Sequence, residues 1–144
     1  MPNVLNYLAK VSKLSYLETM AKVWNDSRVQ AEIVRLNTEE QLFNEGIKSD
    51  GDYLPDYSDT SVNLYGKPNG HIRLYDTGEF FESFRILVFG EDAEIVADTR
   101  KEDTDLAEKY GKAIIGLTNE SKDILTKIIL QVLREVVRKD VLTI

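Results

Sequence analysis

The chain has 144 residues, 42% of them hydrophobic and 30% charged, which suits one globular domain and excludes the disordered class. Its 18 basic and 25 acidic residues give a formal charge of -7. This negative balance argues against non-specific binding to nucleic acid and against tight binding to an anionic membrane surface.

The counts of two residue types remove several kinds of chemistry. The sequence has no cysteine, so disulfides, thiolate zinc sites and cysteine nucleophiles are excluded. His71 is the single histidine, so one chain cannot build a multi-histidine metal site, and a Ser-His-Asp triad would have to use that residue. No stretch approaches the roughly 18 consecutive apolar residues of a membrane span, and the N-terminus lacks the pattern of a secretory signal.

Apolar spacing predicts two helices in the first third of the chain. The first covers residues 3–24, and its apolar stripe is Leu5, Leu8, Val11, Leu14, Leu17, Ala21 and Trp24. The second covers residues 28–45, and its stripe is Val29, Ile33, Leu36, Glu40 and Phe43. Residues 37–40 either break this second helix in two or cap a restart. Gly46 is expected to end it, because glycine accepts the left-handed conformation that follows a last helical turn.

Residues 48–70 form a long loop that is rich in turn-forming residues and tyrosine. A long loop inside a compact domain is usually functional or disordered. The apolar and aromatic residues Tyr53, Leu54 and Tyr57 indicate that part of this loop is anchored.

The middle of the chain has the signals of short strands and a short helix. Residues 71–75 fit a short strand, and residues 79–83 fit one or two helical turns. The β-branched and aromatic run 84–89 and the returning run 93–98 predict an antiparallel hairpin around Gly90.

The last part of the chain is predicted to be helical. Asp103 or Thr104 is expected to cap a short helix that ends at Tyr110. Thr118 is a good cap for a final helix over about residues 119–139, whose wide apolar face predicts burial.

These elements add up to a single α+β domain, residues 1–144, with long N- and C-terminal helices packed around a small antiparallel β-sheet. No internal repeat, low-complexity tract or domain linker interrupts it.

The triplet Asp76–Gly78 has the Asp-Thr-Gly sequence of aspartic proteases, in which two aspartates share a proton to activate water. One hypothesis is therefore a dimeric aspartic protease with Asp76 as its catalytic carboxylate. Against it, those proteases are nearly all-β, and the glycines expected in a flap are missing from residues 99–103. The alternative is that Asp76 or Thr77 caps the helix that begins near Glu79.

Other candidate sites are weaker. The loop contains four aspartates, Asp50, Asp52, Asp56 and Asp59. They do not match the EF-hand calcium-binding pattern, because glycine is the second residue of the loop and the pattern needs it at the sixth position. A solvated turn is the better interpretation. His71 has no nucleophile motif near it. We therefore assign no catalytic, cofactor-binding or metal-binding residue.

An extended pattern over residues 39–98 is more specific than any of these motifs. A helix ending at Gly46 is followed by the loop sequence 49–60 and then by residues 74–86, which read LYDTGEFFESFRI. This pattern resembles the tail-completion, virion-morphogenesis and head–tail connector (neck) proteins of tailed bacteriophages. In that group a D/S-G-x-x-w-x-P-L-S-x-x-T type loop precedes an L-x-x-T-G-x-L-x-x-S-I motif and a strand hairpin.

The chain departs from the family pattern at four aromatic positions. Tyr53 stands where tryptophan is usual and Phe80 where leucine is usual. Tyr57 stands where leucine is common, and Phe84 where isoleucine is common. All four substitutions keep a large, largely apolar side chain.

The resemblance implies a structural virion protein without a cofactor, assembled as a ring between portal and tail through which DNA passes as cargo. Its partners are then further copies of itself and neighbouring portal, connector or tail proteins, in the virion and in the host cytoplasm during assembly. The implied structural motif comprises Asp76, Thr77, Gly78, Phe80, Ser83 and Phe84. The implied subunit-interface loop contains Tyr53, Leu54, Pro55, Tyr57 and Thr60.

A ring of six or twelve copies, as the resemblance implies, needs two different complementary patches on each subunit. We expect the 48–70 loop to supply one, and the first helix or the C-terminal residues to supply the other. A small acidic inhibitor or binding module that meets a basic partner is a further alternative, and it predicts a stable monomer.

Overall fold

A computed structural model describes residues 16–66 and 70–142, and its fold is α+β, as predicted. The helices are α1 (16–25), α2 (Ser27–Arg35), α3 (Asp59–Tyr65), α4 (Glu79–Glu82), α5 (Leu106–Tyr110) and α6 (Asn119–Leu142). A π-helical segment (Leu36–Glu45) continues α2, and a 3-10 turn covers Lys112–Ile114. The strands are β1 (Arg85–Phe89), β2 (Asp92–Val96), β3 (Arg100–Lys101) and β4 (Thr104–Asp105).

The two N-terminal helices are confirmed where they are described. Residues 16–25 of the first predicted helix are helical, and its residues 3–15 lie outside the described part of the chain. The side chain of Asp26 caps α2 by accepting the backbone N–H of Arg28 at 2.8 Å. The following π segment ends at Gly46, which has a φ of 66° and donates its N–H to Gln41.

The π segment shifts the buried face of its helix by about one residue. Backbone hydrogen bonds between residues five apart give each turn more residues than in an α-helix. After Leu36, the buried positions therefore no longer follow the 3.6-residue spacing expected from the sequence. Gln41 and Leu42 are buried, with 1% and 0% of their surface exposed, whereas the predicted Glu40 and Phe43 are only half-buried. The helix is neither broken nor restarted at residues 37–40.

Two hydrophobic clusters form the core. The first joins α1, α2 and α6 and contains Val23, Val29, Ile33, Leu36, Leu125 and Val132. The second lies around the π segment and the middle of the chain and contains Leu42, Leu54, Leu74, Phe80, Phe84 and Ile114. Ile95 of β2 packs against both clusters, so the hairpin connects the two halves of the core.

The predicted hairpin is confirmed. β1 pairs with β2 from Arg85↔Val96 to Phe89↔Asp92, around a two-residue turn. The indole N–H of Trp24 donates to the carbonyl of Glu91 at 2.8 Å, so α1 holds the hairpin turn in place.

The predicted strand over residues 71–75 does not form. Only an isolated bridge pairs His71 with Asp56, because Leu74 has a φ of 58° and turns the backbone out of the extended conformation. The 48–70 loop also contains a helix that the sequence reading missed. Ser58 caps that helix, α3, by accepting the N–H of Ser61.

The cap of α5 lies one or two residues later than predicted. Residues 100–105 form the small hairpin β3–β4, in which Glu102 has a φ of 50°. The side chain of Asp105, rather than that of Asp103 or Thr104, accepts the N–H groups of Ala107 and Glu108.

Helix α6 runs antiparallel to α2 and its π extension. Arg28, near the start of α2, pairs with Glu135 in the second half of α6. Gln41, near the end of the π segment, bonds the backbone of Thr118, whose side chain caps α6 by accepting the N–H of Ser121, as predicted. Helix α6 reaches Leu142, slightly beyond its predicted end. Within residues 16–66 and 70–142, no helix combines the length and apolar character of a membrane span.

Candidate functional site

Residues 48–66 form a projecting segment, called the arm below, that starts at the end of the π segment. The backbone of Ile47 bridges that of Tyr53, and the N–H of Leu54 donates to the carbonyl of Gly46 at 2.7 Å. The arm therefore leaves the long helix through a short, hydrogen-bonded ribbon rather than through a free linker.

Of the three residues predicted to anchor the arm, Leu54 and Tyr57 do so, whereas the prediction is wrong for Tyr53, whose side chain lies in solvent. Leu54 is 4% exposed in the second core cluster, and the hydroxyl of Tyr57 accepts the backbone N–H of Arg73 at 3.3 Å. Tyr53 is 75% exposed, and Pro55 is exposed as well. The side chains on either side of the buried Leu54 are therefore presented to solvent.

The rest of the arm is acidic and carries a second exposed apolar residue. Thr60 lies in the first turn of α3, and Leu64 on the same helix is 73% exposed. Four aspartates are exposed along the arm; they are Asp50, Asp52, Asp56 and Asp59. Its described cation, Lys48, is half-buried and donates to the carbonyl of Tyr110 at 3.0 Å.

Two buried amides in the π segment clamp the chain that supports the arm. Asn37 donates to the carbonyl of Ile114 at 2.9 Å and accepts the N–H of Gly116 at 2.8 Å. Gln41 donates to the carbonyl of Gly116 at 2.8 Å and accepts the N–H of Thr118 at 3.0 Å. The two amides thus satisfy alternate backbone groups of residues 114–118, as a neighbouring strand would.

This clamp was not predicted. Residues 37–40 were considered as a place for a break or a capped restart within the helix, although asparagine and glutamine four residues apart share one helix face. A buried polar pair at that spacing needs backbone partners, and this requirement is the signal that was available.

The clamp and the arm meet directly. The N–H of Ser49 donates to the carbonyl of Ala113 at 2.7 Å. A Cβ on Gly116 would lie 2.9 Å from Cβ of Ser49, so the close approach of the two segments needs glycine there. The base of the arm is consequently held by the core on both sides.

The triplet motif makes a turn into α4. Gly78 has a φ of 85°, and a Cβ at this position would meet the hydroxyl oxygen of Tyr75 at 3.2 Å and its ring at 3.3 Å. The hydroxyl of Thr77 accepts the N–H of Glu79 at a long 3.4 Å. Asp76 has 62% of its side chain exposed, and its carboxylate lies 3.5 Å from the ammonium group of Lys101.

The second half of the motif joins α4 to the hairpin. The rings of Phe80 and Phe84 are 4% and 7% exposed, and their centroids lie 5.0 Å apart in an edge-to-face contact. The hydroxyl of Ser83 donates to the carbonyl of Phe80 at 2.6 Å and accepts the N–H of Asp98 at 2.9 Å. These three residues therefore have structural roles, as the sequence predicted.

The imidazole ring of His71 packs against Gly46, in the place that a Cβ at residue 46 would occupy. Its Nδ1 lies 3.0 Å from the carbonyl of Ile72, and its Nε2 lies 3.1 Å from the carbonyl of Asn44. With both ring nitrogens against backbone carbonyls, the imidazole connects residues 71–72 to the end of the π segment.

The clearest electrostatic feature lies away from the arm, where three elements meet. Arg28 hydrogen-bonds the carboxylates of Asp26 and Glu135, and these bonds hold the pKa of both acids below its ordinary value. At the other end of the long helix, burial raises the pKa of Glu45, with smaller contributions from the charges of Glu120 and Glu40.

The arm and the triplet motif line one cleft of about 540 Å³. Its lining includes Pro55 and Tyr57 of the arm, Asp76 of the triplet, and Leu106 and Tyr110 of α5. Within residues 16–66 and 70–142, no three histidine or acidic side chains converge in a way that could hold a metal ion.

Comparisons with known proteins found no match for this chain: no protein-family model, no curated protein and no solved structure matches it.

Proposed function

We propose that this chain is a structural subunit of the head–tail junction of a tailed bacteriophage, where copies of it form a ring that joins the portal to the tail. DNA passes through the ring as cargo without sequence-specific contacts. The resemblance over residues 39–98 supports this role, and the formal charge of -7 suits a channel wall that does not hold phosphate.

The observation that carries the proposal is the arm. Tyr53 is exposed, while its neighbour Leu54 is buried and the backbone of Ser49 is bonded to that of Ala113. An exposed aromatic side chain on a segment anchored in this way loses little conformational entropy on docking. Such a segment suits subunit-to-subunit or ring-to-ring contact.

The geometry of Asp76 supports a structural role better than a catalytic one. A catalytic aspartate pair works by sharing one proton in a sheltered site. Asp76 is instead mostly exposed and lies beside Lys101 on the surface. The turn of which it is part leads into α4 and its buried phenylalanines.

Electron microscopy of the purified chain tests the proposal. We expect round particles with rotational symmetry and an axial opening, and we expect the Asp76→Asn variant to form the same particles. Two-fold dimers that cleave peptides, and that lose this activity in Asp76→Asn, would contradict it. Isolated single chains under all conditions would contradict it as well.

A further inference from the structure

The outward side of the C-terminal half of α6 is an exposed face that mixes apolar and basic residues. This surface, called the α6 outer face below, consists of Lys127, Leu130, Arg134, Val137 and Arg138. Their spacings of three and four residues place them on one side of the helix, opposite the buried Leu125 and Val132.

Exposure and charge distinguish this face from the rest of the helix. Leu130 and Val137 are 44% and 45% exposed, although the chain has ample core positions for such residues. Between residues 127 and 138 the one acidic side chain is Glu135, which is already bonded to Arg28. The α6 outer face is thus a basic and apolar patch on an acidic protein.

The base of the arm lies near the start of α6, whereas most of the α6 outer face lies in the second half of that helix. The base of the arm contacts residues 113 and 116, just before α6 begins, whereas the α6 outer face extends to Arg138. Twenty helical residues separate Thr118 from Arg138, a distance of roughly 30 Å at 1.5 Å per residue. The two surfaces therefore point to contact between different copies rather than within one chain.

The two surfaces are complementary in charge and in apolar content. The arm exposes four aspartates together with Tyr53 and Leu64, and its lysine is occupied by a backbone carbonyl. The α6 outer face offers three cations around Leu130 and Val137. Pairing them would bury the exposed apolar side chains and join opposite charges, which steers association and fixes its orientation.

We infer that the α6 outer face of one copy binds the arm of the next copy, head to tail. This inference rests on the proposed ring and names the two surfaces that close it. A contact between two different patches generates a closed ring when the rotation between copies closes, and an open filament when it does not. A phosphate backbone is the poorer occupant, because it would leave the exposed Leu130 and Val137 without an apolar partner.

Charge reversal on each surface tests the inference by sedimentation velocity. The first variant is Arg134→Glu with Arg138→Glu, and the second is Asp52→Lys with Asp56→Lys. All four side chains are exposed, so the variants are expected to fold like the parent chain, which circular dichroism checks. We expect each variant alone to lose the ring and sediment mainly as a monomer.

Restoration provides the control against misfolding. A chain that carries all four reversals again pairs opposite charges, and we expect it to recover the ring. The matched control is Arg85→Glu with Glu102→Lys, which reverses exposed charges outside both surfaces and should leave the ring intact. Raising the salt concentration should weaken assembly of the parent and of the fourfold variant alike.

The outcomes separate this inference from the proposed function. If the parent forms rings and both charge-reversed variants form them equally well, the named surfaces are wrong and the ring stands. If the parent forms no ring, both fall. If Arg134→Glu with Arg138→Glu keeps the ring but loses retention of DNA, the α6 outer face binds nucleic acid and the inference is overturned.

Discussion

At the scale of single residues, two glycines with the same backbone handedness serve different purposes. Gly46 has a φ of 66°, and a Cβ there would come within 2.3 Å of the ring of His71. Gly51 at the arm turn has a φ of 87°, and nothing lies within 4 Å of its virtual Cβ. Gly46 is therefore required by both conformation and space, whereas Gly51 is required by conformation alone.

This difference predicts unequal costs for two alanine substitutions. We expect Gly51→Ala to lower the free energy of unfolding by about 1 kcal/mol, from backbone strain. We expect Gly46→Ala to lower it by about 3 kcal/mol, because the new methyl group must also displace the imidazole. Urea unfolding of both variants measures the two losses in the free energy of unfolding. Equal losses would show that the imidazole of His71 moves aside at no cost. Adding His71→Ala to Gly46→Ala should recover part of the loss.

The amide clamp predicts a pH-dependent defect in Asn37→Asp. At neutral pH this change sets a buried carboxylate oxygen against the carbonyl of Ile114, and we expect a loss of about 2 kcal/mol in the free energy of unfolding. Burial would raise the pKa of the new acid in the folded state. The loss should therefore shrink as the pH falls and the protonated acid donates again.

The matched control for the clamp is Asn63→Asp, which makes the same chemical change at an exposed position in α3. We expect it to alter the free energy of unfolding by no more than about 0.5 kcal/mol at neutral pH. Urea titrations at neutral and acidic pH compare the two variants. Equal effects at both positions would mean that the clamp contributes nothing specific.

At the scale of elements, the junction of α1, α2 and α6 depends on ionised carboxylates. The bonds of Arg28 lower the pKa of Asp26 and of Glu135 in the folded state. Groups with a depressed folded pKa stabilise the protein above their ordinary pKa of about 4, and this contribution is lost as the pH falls through the lower folded value.

We therefore expect Arg28→Gln to lower the Tm at neutral pH, and the difference from the parent to vanish at about pH 2. The expected difference is small and decreases with added salt, because the junction is exposed. The control is Arg85→Gln on β1, away from this junction. Thermal unfolding at several pH values checks the prediction, and a difference that persists undiminished in acid would contradict it.

The elements that the sequence predicted correctly are those with long, regular patterns. In α2 and α6, apolar residues recur at helical spacing over many positions, and β1 is a continuous run of β-branched and aromatic residues. Capping residues such as Thr118 were also predicted from the sequence, because an N-cap side chain bonds backbone groups only two or three residues away.

The elements that the sequence did not predict depend on contacts distant in the chain. The π widening after Leu36 serves the clamp on residues 114–118, more than seventy positions away. The strand predicted over residues 71–75 gives way to a turn at Leu74, whose side chain is buried. The hairpin β3–β4 is too short for any periodic signal. Of the candidate site, the anchored and exposed sides of the arm were partly predictable, and the clamp beneath it was not.

At the scale of the whole molecule, the antiparallel arrangement of α2 and α6 separates charge along one axis. The base of the acidic arm lies beside the start of α6, and the basic α6 outer face runs along its second half. A subunit with two different complementary surfaces can bind the next copy head to tail, as a cyclic assembly requires. A two-fold dimer instead uses the same surface on both subunits.

The most direct test of the ring is the native mass of the purified chain across a concentration series. The account predicts a discrete particle of six or twelve times the 16.4 kDa chain mass, which is favoured by concentration and dissociated by salt. A mass that stays at one chain, or at two chains, at every concentration would contradict it.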